Sequence, residues 1–350
     1  MSAAPGPRAP IRDADELCAR LRVIHDAIRD EVVAACEATS LEQLSAVVAE
    51  EGGDTVFAID RVSEAILIER FTEIAREWPC LLVAEGLGAD GRLTLPRGTD
   101  PGAAEIAVIV DPIDGTRGLM YQKRPAWILT GVAACAPGGR PPSLAGVTLA
   151  VQTEIPLVKQ HLCDQLWAFA GRGAHAERMN RLTGARAPMA LRPSSATTTL
   201  QGFGGVSRFF PGAREELAAI DDAVAEALLG PPRAGVALSF EDQYISTGGQ
   251  LYELMVGHDR WIADLRPSVE TTLRRRGRSG GLCCHPYDLC TALIAREAGV
   301  VVTDERGGEV DAPFDVFTEV GWIGYANATL REKIAPVLSA ILKERGLIAP

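Results

Sequence analysis

Apolar residues recur at Leu17, Leu21, Ile24, Ile28 and Val32, a helical spacing that predicts an amphipathic helix over residues 13–37. Asp13 or Asp15 stands where a cap is needed. Glu50-Glu-Gly-Gly-Asp54 breaks the pattern, and a short strand over 55–58 is expected next. Ile59, Val62, Ile66 and Ile74 predict a second helix that ends near Arg76, before Trp78-Pro79. Two short, continuous apolar runs follow, Cys80 to Ala84 and Ile106 to Val110. Such runs read as buried strands. Each ends on an acid, Glu85 and Asp111. The Gly-, Pro- and Asp-rich stretch 89–102 between them reads as loop.

Strands are predicted at 126–135, 144–152 and 165–170, with hairpin-like spacing that points to antiparallel pairing. Residues 171–189, rich in Gly and Arg, read as loop. Helices are predicted at 214–229, 246–255, from Leu289 to Gly299, and at 329–345. Strands are predicted at 261–265, 300–303 and 321–326. The stretch 269–281, with Arg274, Arg275, Arg276 and Arg278, reads as a solvated loop, with a substrate-facing lid as the alternative.

The chemistry concentrates where the second acidic run ends, at Asp111-Pro-Ile-Asp-Gly-Thr116. Pro112 stiffens the chain and Gly115 permits a positive φ. Two carboxylates three residues apart on a rigid turn suit a hard cation such as Mg²⁺ that leaves room for phosphate. A helix starting after Gly115 would turn free N–H groups toward the same anion. Asp-Pro and Asp-Gly pairs also occur in ordinary surface turns, where Asp bonds the local backbone. If the two acidic strands leave one sheet at the same edge, Glu85 and Asp111 meet there. The Ser246-Thr-Gly248-Gly249 start of a later helix offers a second phosphate or sugar cradle, or close packing. An acid in the first turn near Asp288 is favoured by the helix dipole alone.

Composition narrows the picture little. With 47% hydrophobic and 23% charged residues the 350-residue chain is ordinary for a globular protein. The net charge of −11 argues against a nucleic-acid or anionic-membrane binder but not against a phosphate substrate, because bound cations reverse the local sign. Residues 1–10 look like a disordered tail with no apolar core. No apolar run is long enough to span a bilayer. Eight cysteines without a secretory signal point to free thiols in a reducing, cytoplasmic setting. Cys283, Cys284, His285 and Cys290 raise a zinc site, although the spacing lacks the usual Cys-x₂-Cys pair.

The string Asp111-Pro-Ile-Asp-Gly-Thr116 after a hydrophobic strand resembles the signature of the inositol monophosphatase and fructose-1,6-bisphosphatase superfamily of metal-dependent, often lithium-sensitive phosphatases. The resemblance runs in order over about residues 54–326. Asp60 to Glu64 looks like the family's helical acidic segment without its Thr. Ala84-Glu85-Gly86 stands where the family has Gly-Glu-Glu, and Tyr287-Asp288 leads into Ala295-Arg-Glu-Ala-Gly299 where it has Trp-Asp and Glu-Ala-Gly.

The resemblance implies an α+β fold, a layered αβαβα sandwich. Residues 11–190 would form an N-terminal half with a largely antiparallel sheet, and 191–350 a smaller α/β half contributing Asp288. It implies an Mg²⁺-dependent phosphate monoester hydrolase for a small phosphorylated polyol or sugar, with two or more ions. Glu85, Asp111 and the Ile113 carbonyl would hold one ion. Asp111, Asp114 and Asp288 would hold another. Glu85, Thr116 and Asp60 would be catalytic. Gly115, Thr116, Gly248 and Gly249 would meet the substrate. A homodimer is common in the family. Gly86 in place of the second Glu bears on a third ion. Arg117, straight after the Thr, is more reminiscent of the nucleotide 3′-phosphatase branch. A member that binds a phosphorylated ligand without turnover is the other class of reading.

Overall fold

A computed structural model describes residues 10–349, except 39–46, 52–53, 58–66, 88–89, 136–141 and 279–280. The first helix, α1 (Ala14–Ala38), buries the stripe that its sequence marks, Leu17, Leu21, Ile24, Ile28 and Val32. Residues 67–74 are the described part of a second helix, α2. Its beginning, together with Asp60 and Glu64, lies outside the described residues.

The main sheet has eight strands in the order β10-β9-β8-β7-β6-β5-β3-β4. These are β3 (Cys80–Ala84), β4 (Arg92–Leu95), β5 (Ile106–Asp114), β6 (Ala126–Ala134), β7 (Val147–Ile155), β8 (Leu162–Phe169), β9 (Ala174–Asn180) and β10 (Arg186–Met189). Only β3 and β5 pair in parallel; the other neighbours are antiparallel. A small hairpin, β1 (Val47–Glu51) with β2 (Asp54–Phe57), stands apart.

The uninterrupted apolar run of β5 has a physical cause. Ile106, Val108 and Val110 pack toward α1 and α2, while Ala107 and Ile109 join the core on the opposite face. That second core also takes in a four-stranded sheet, β11 (Phe203–Val206), β12 (Asp259–Asp264), β13 (Val301–Thr303) and β14 (Trp322–Tyr325), in the order β11-β12-β14-β13. Helices α5 (Thr247–Met255) and α7 (Ala292–Glu297) supply Leu251, Leu254, Leu293 and Ile294 to the same core. Helices α4 (Arg214–Leu229) and α8 (Ala328–Glu344) supply Leu217, Ile220, Ile334 and Leu338. The layers therefore run helix, sheet, helix, sheet, helix.

Three stretches expected as loop are ordered elements. Residues 92–95 form the edge strand β4. Residues 171–189 contain β9 and β10, which extend the large sheet to its other edge. The arginine-bearing stretch 269–281 begins as part of helix α6 (Arg266–Arg275), which buries Val269 and Leu273. Its arginines are held on the surface. Arg274 pairs with Glu270 at 3.0 Å and Glu319 at 3.3 Å, Arg276 pairs with Glu216, and Arg278 donates to the Gly212 carbonyl. None of the three lines the acidic cleft, so the lid reading has no support.

One buried group predicts an acid-sensitive fold. His25 on α1 is 1% exposed, with its ring nitrogens 3.0 Å from the Thr153 hydroxyl and 2.8 Å from that of Thr130. Burial, with nearby Arg29 second, pushes its pKa down to about 3. The unfolded chain protonates near 6.5, so the stabilising contribution is complete above that pH and is lost as pH falls toward the folded value. At pH 5 the loss is about 2 kcal/mol, from about 1.4 kcal/mol per unit. Urea titrations of the parent and His25→Gln should show the parent's advantage shrinking by that amount between pH 7.5 and pH 5. A constant difference would rule this out.

Candidate active site

The acidic ends of β3 and β5 meet because their parallel register pairs Ala84 with Val110. Glu85 and Asp111 are the next residue on each strand, and both line one cleft. The β5–β6 ladder is irregular between Asp111 and Asp114, where the turn begins. Asp111 Oδ1 accepts a hydrogen bond from the Ile113 N–H at 3.0 Å. The Thr116 hydroxyl donates to the Ile113 carbonyl at 2.7 Å, which leaves that oxygen a second lone pair. Gly115 has φ +92°, and a Cβ there would come within 3.0 Å of Ser246 Cβ. Both the backbone and the space therefore require glycine. Helix α3 (Thr116–Met120) starts immediately afterwards.

Asp114 faces the N-terminus of α5. It accepts from the Ser246 hydroxyl at 2.8 Å, the Gly248 N–H at 2.6 Å and the Thr247 N–H at 3.3 Å. Ser246 also caps the helix, its hydroxyl accepting from the Gly249 N–H at 2.8 Å. The amides of Gly248 and Gly249, expected to cradle substrate, are thus bonded to groups of the protein itself. Gly248 is glycine because a Cβ would lie 2.5 Å from a Leu129 methyl and 3.0 Å from Asp114. Gly249 is glycine because a Cβ would strike the Tyr244 ring.

Asp288 sits on a 3₁₀ turn, Pro286–Leu289, and accepts from the His285 N–H at 2.6 Å. This turn precedes α7, so the helix expected from Leu289 begins only at Ala292, after the turn. Gln152 on β7 ties the turn to the Asp114 cradle. Its amide nitrogen donates to the Gly248 carbonyl at 2.8 Å, and its oxygen accepts from the Thr291 hydroxyl at 2.9 Å. Gln152 and Thr291 are both fully buried. Nothing in the local sequence marks Gln152, because its partners lie 96 and 139 residues away.

Oxygens of Asp111, Asp114 and Asp288 lie within 4.8 Å of one another. Among the described residues this is the one group of three or more acid, His or Cys side chains so gathered. Cys283, Cys284, His285 and Cys290 do not form such a group, so the zinc reading fails. All eight cysteines are free thiols.

Crowding perturbs the acids. Burial pushes Asp111 well above the usual carboxylate range, and the charges of Asp114, Asp288 and Glu85 push the same way. Asp288 is raised by burial and by Asp114, opposed by its bond from His285. Asp114 is raised to about 6 by burial, restrained by Ser246 and the α5 amides. The donors bonded to these carboxylates are backbone N–H groups and one hydroxyl, none of them charged. The charge of Arg266 offsets only part of the repulsion at Asp114 and Asp288, and a compact set of hard oxygens with net negative charge fits a divalent cation.

An apolar part of the cleft lining was not foreseen. It is made by Phe209, Phe210, Ile245 and Leu282, with Arg266 and Arg117 against the phenyl rings. Arg266, 7% exposed, is forked on fully buried Asp264, with Nε 2.8 Å and Nη2 2.5 Å from its oxygens. Burial acts to lower the Arg266 pKa, but Asp264 more than offsets it.

Four acids in the expected order thus gather in one cleft at the edge of a layered fold. No family model matches the chain. A curated fructose-1,6-bisphosphatase/inositol-1-monophosphatase of Methanothermobacter thermautotrophicus is 27% identical over 246 residues, 70% of each chain. The chain is similar in sequence to this member of the inositol monophosphatase and fructose-1,6-bisphosphatase superfamily. Solved structures agree at the level of the fold. The extragenic suppressor protein suhB of Bartonella henselae matches with a TM-score of 0.63 at 14% identity, covering 92% of this chain and 98% of that one. Fructose-1,6-bisphosphatase of Leishmania major matches with 0.66 at 11%, covering 95% and 96%. The Thermotoga maritima IMPase matches with 0.58 at 17%, covering 93% and 99%. The layered sandwich expected from the resemblance is therefore the fold that this chain shares with these structures.

Proposed function

We propose that this chain is a divalent-cation-dependent phosphatase that hydrolyses a monoester of a small phosphorylated molecule. The observation that carries the reading is the convergence of Asp111, Asp114 and Asp288 to within 4.8 Å, beside Glu85. The curated archaeal relative, named for two phosphatase activities, supports it. Asp111, Asp114, Asp288, Glu85 and the Ile113 carbonyl would hold the ions, and Mg²⁺ suits the all-oxygen set. When bound, such ions supply a water of lowered pKa and positive charge for the phosphate oxygens. Glu85 would take the proton of the attacking water, with Thr116 orienting it. Gly115 and Thr116, both at the cleft, would lie against the phosphate. Asp60 keeps the supporting role that the family resemblance implies.

Polyol and sugar phosphates are the substrates expected from the inositol-monophosphatase-like turn. Nucleoside 3′-phosphates are those expected from Arg117. The test is phosphate release by the purified protein with Mg²⁺ across inositol phosphates, sugar phosphates and 3′-phosphonucleotides. Release that stops with chelator and returns with Mg²⁺ supports the proposal. Calorimetric binding of a phosphorylated ligand with no release from any ester would favour the non-catalytic reading instead.

A further inference from the structure

The cleft is chemically mixed. Besides the acids, its wall carries two phenyl rings, Phe209 and Phe210, and the apolar side chains of Leu282 and Ile245. The rings are half-buried, so part of each stays open to the cleft that they line. They meet edge to face, with centroids 6.0 Å apart and planes at 84°.

Several contacts hold this wall rigid. The Arg266 guanidinium lies 4.9 Å from the Phe209 centroid and 5.5 Å from that of Phe210. It is itself immobilised by the fork on Asp264 and a 2.8 Å bond to the Leu282 carbonyl. Its N–H groups are thus largely committed, and it serves the rings as a platform. Arg117, next to the phosphate-side Thr116, lies 5.4 Å from the Phe210 centroid. The Phe209 carbonyl accepts from Arg214 at 2.7 Å, and the neighbouring Arg208 bonds Asp221 at 3.0 Å.

A polyhydroxylated leaving group needs partners for its hydroxyls, and the side-chain hydroxyls lining the cleft are already engaged. The Ser246 hydroxyl is bonded to Asp114, that of Thr247 points to the Cys284 sulfur at 3.7 Å, and that of Tyr287 meets His285 at 3.2 Å. Hydroxyls desolvated against phenyl rings without partners cost affinity. A flat unsaturated ring placed against Phe209 and Phe210 loses nothing comparable and gains a stacking contact.

We infer that Phe209 and Phe210 are the specificity-determining residues of the leaving-group side, and that they select phosphate esters whose leaving group carries an aromatic or heteroaromatic ring over polyol esters. This rests on the phosphatase reading for the meaning of the site, yet its test does not depend on turnover.

Phosphonates resist hydrolysis, so binding is measured apart from catalysis. Titration calorimetry with Mg²⁺ compares naphthylmethyl phosphonate with 2,3-dihydroxypropyl phosphonate. The parent should bind the aromatic compound about tenfold more tightly, the size of one good aromatic contact. Phe210→Leu and Phe209→Leu keep apolar bulk but lose the ring. Each should bring the preference down to within about twofold in protein whose melting curve shows a folded chain. Equal affinities in the parent, no binding of either compound, or a preference untouched in both variants would overturn the inference. Phosphate release from the ester panel judges the phosphatase reading separately. A protein that prefers the aromatic phosphonate but releases no phosphate would lose that reading and keep this one.

Discussion

Asp111→Asn should lower phosphate release by roughly a thousandfold or more, because several kcal/mol of metal-derived charge stabilisation depend on that carboxylate. Asp111 lies at the centre of the acids. The charges of Asp114, Asp288 and Glu85 all act on it, and its side chain is buried. Asparagine keeps an oxygen to accept the Ile113 N–H but removes the charge that a shared cation requires. Calorimetry supplies a readout apart from activity. Mg²⁺ binding should vanish in Asp111→Asn and persist in part in Asp288→Asn, since Asp288 would serve one ion. Without metal, Asp111→Asn should melt at or above the parent temperature, because one of several mutually repelling buried charges is gone. Parent-like release by Asp111→Asn on the best substrate would remove the residue from the mechanism.

Asp264→Ala should cost about 3–5 kcal/mol of stability, the range for breaking a buried ion pair from one side. Asp264 is fully buried and Arg266 7% exposed, so the stranded guanidinium would have little water to replace its partner. The carbonyl of Leu282 would remain as its one recorded hydrogen-bond acceptor. The double variant Asp264→Leu, Arg266→Met removes both charges and should recover most of the loss. Chemical denaturation of the parent, the single and the double variant tests this as a cycle. A single variant within about 1 kcal/mol of the parent would mean that water reaches Arg266.

The helical stripe of α1, the doubly buried strand β5 and the Ser246 cap of α5 were all legible, because each follows from residues within one or two turns of one another. The turn at Gly115 was legible for the same reason. Strands β9 and β10 were not. They lie at the outer edge of the sheet, where β10 is mostly exposed and shows no alternation. Helix α6 was hidden by its arginines, since only Val269 and Leu273 announce the buried face. At Gly248 and Gly249 the helix start was legible, while the structure bonds both amides within the protein. Local sequence could say that amides would be free at that helix start, but not that Asp114 would reach them from 134 residues away.

The sequence by itself determined that Glu85, Asp111 and Asp114 would end buried strands or sit on a rigid turn, because apolar runs and glycine geometry act over a few residues. Only the tertiary structure decided that Asp288 joins them, that Gln152 ties its turn to the Asp114 cradle, and that Phe209 and Phe210 line the same cleft. Those meetings depend on how two sheets and the helices between them share one core. Packing of that kind is fixed by contacts across the whole chain and leaves no periodic trace in any single segment.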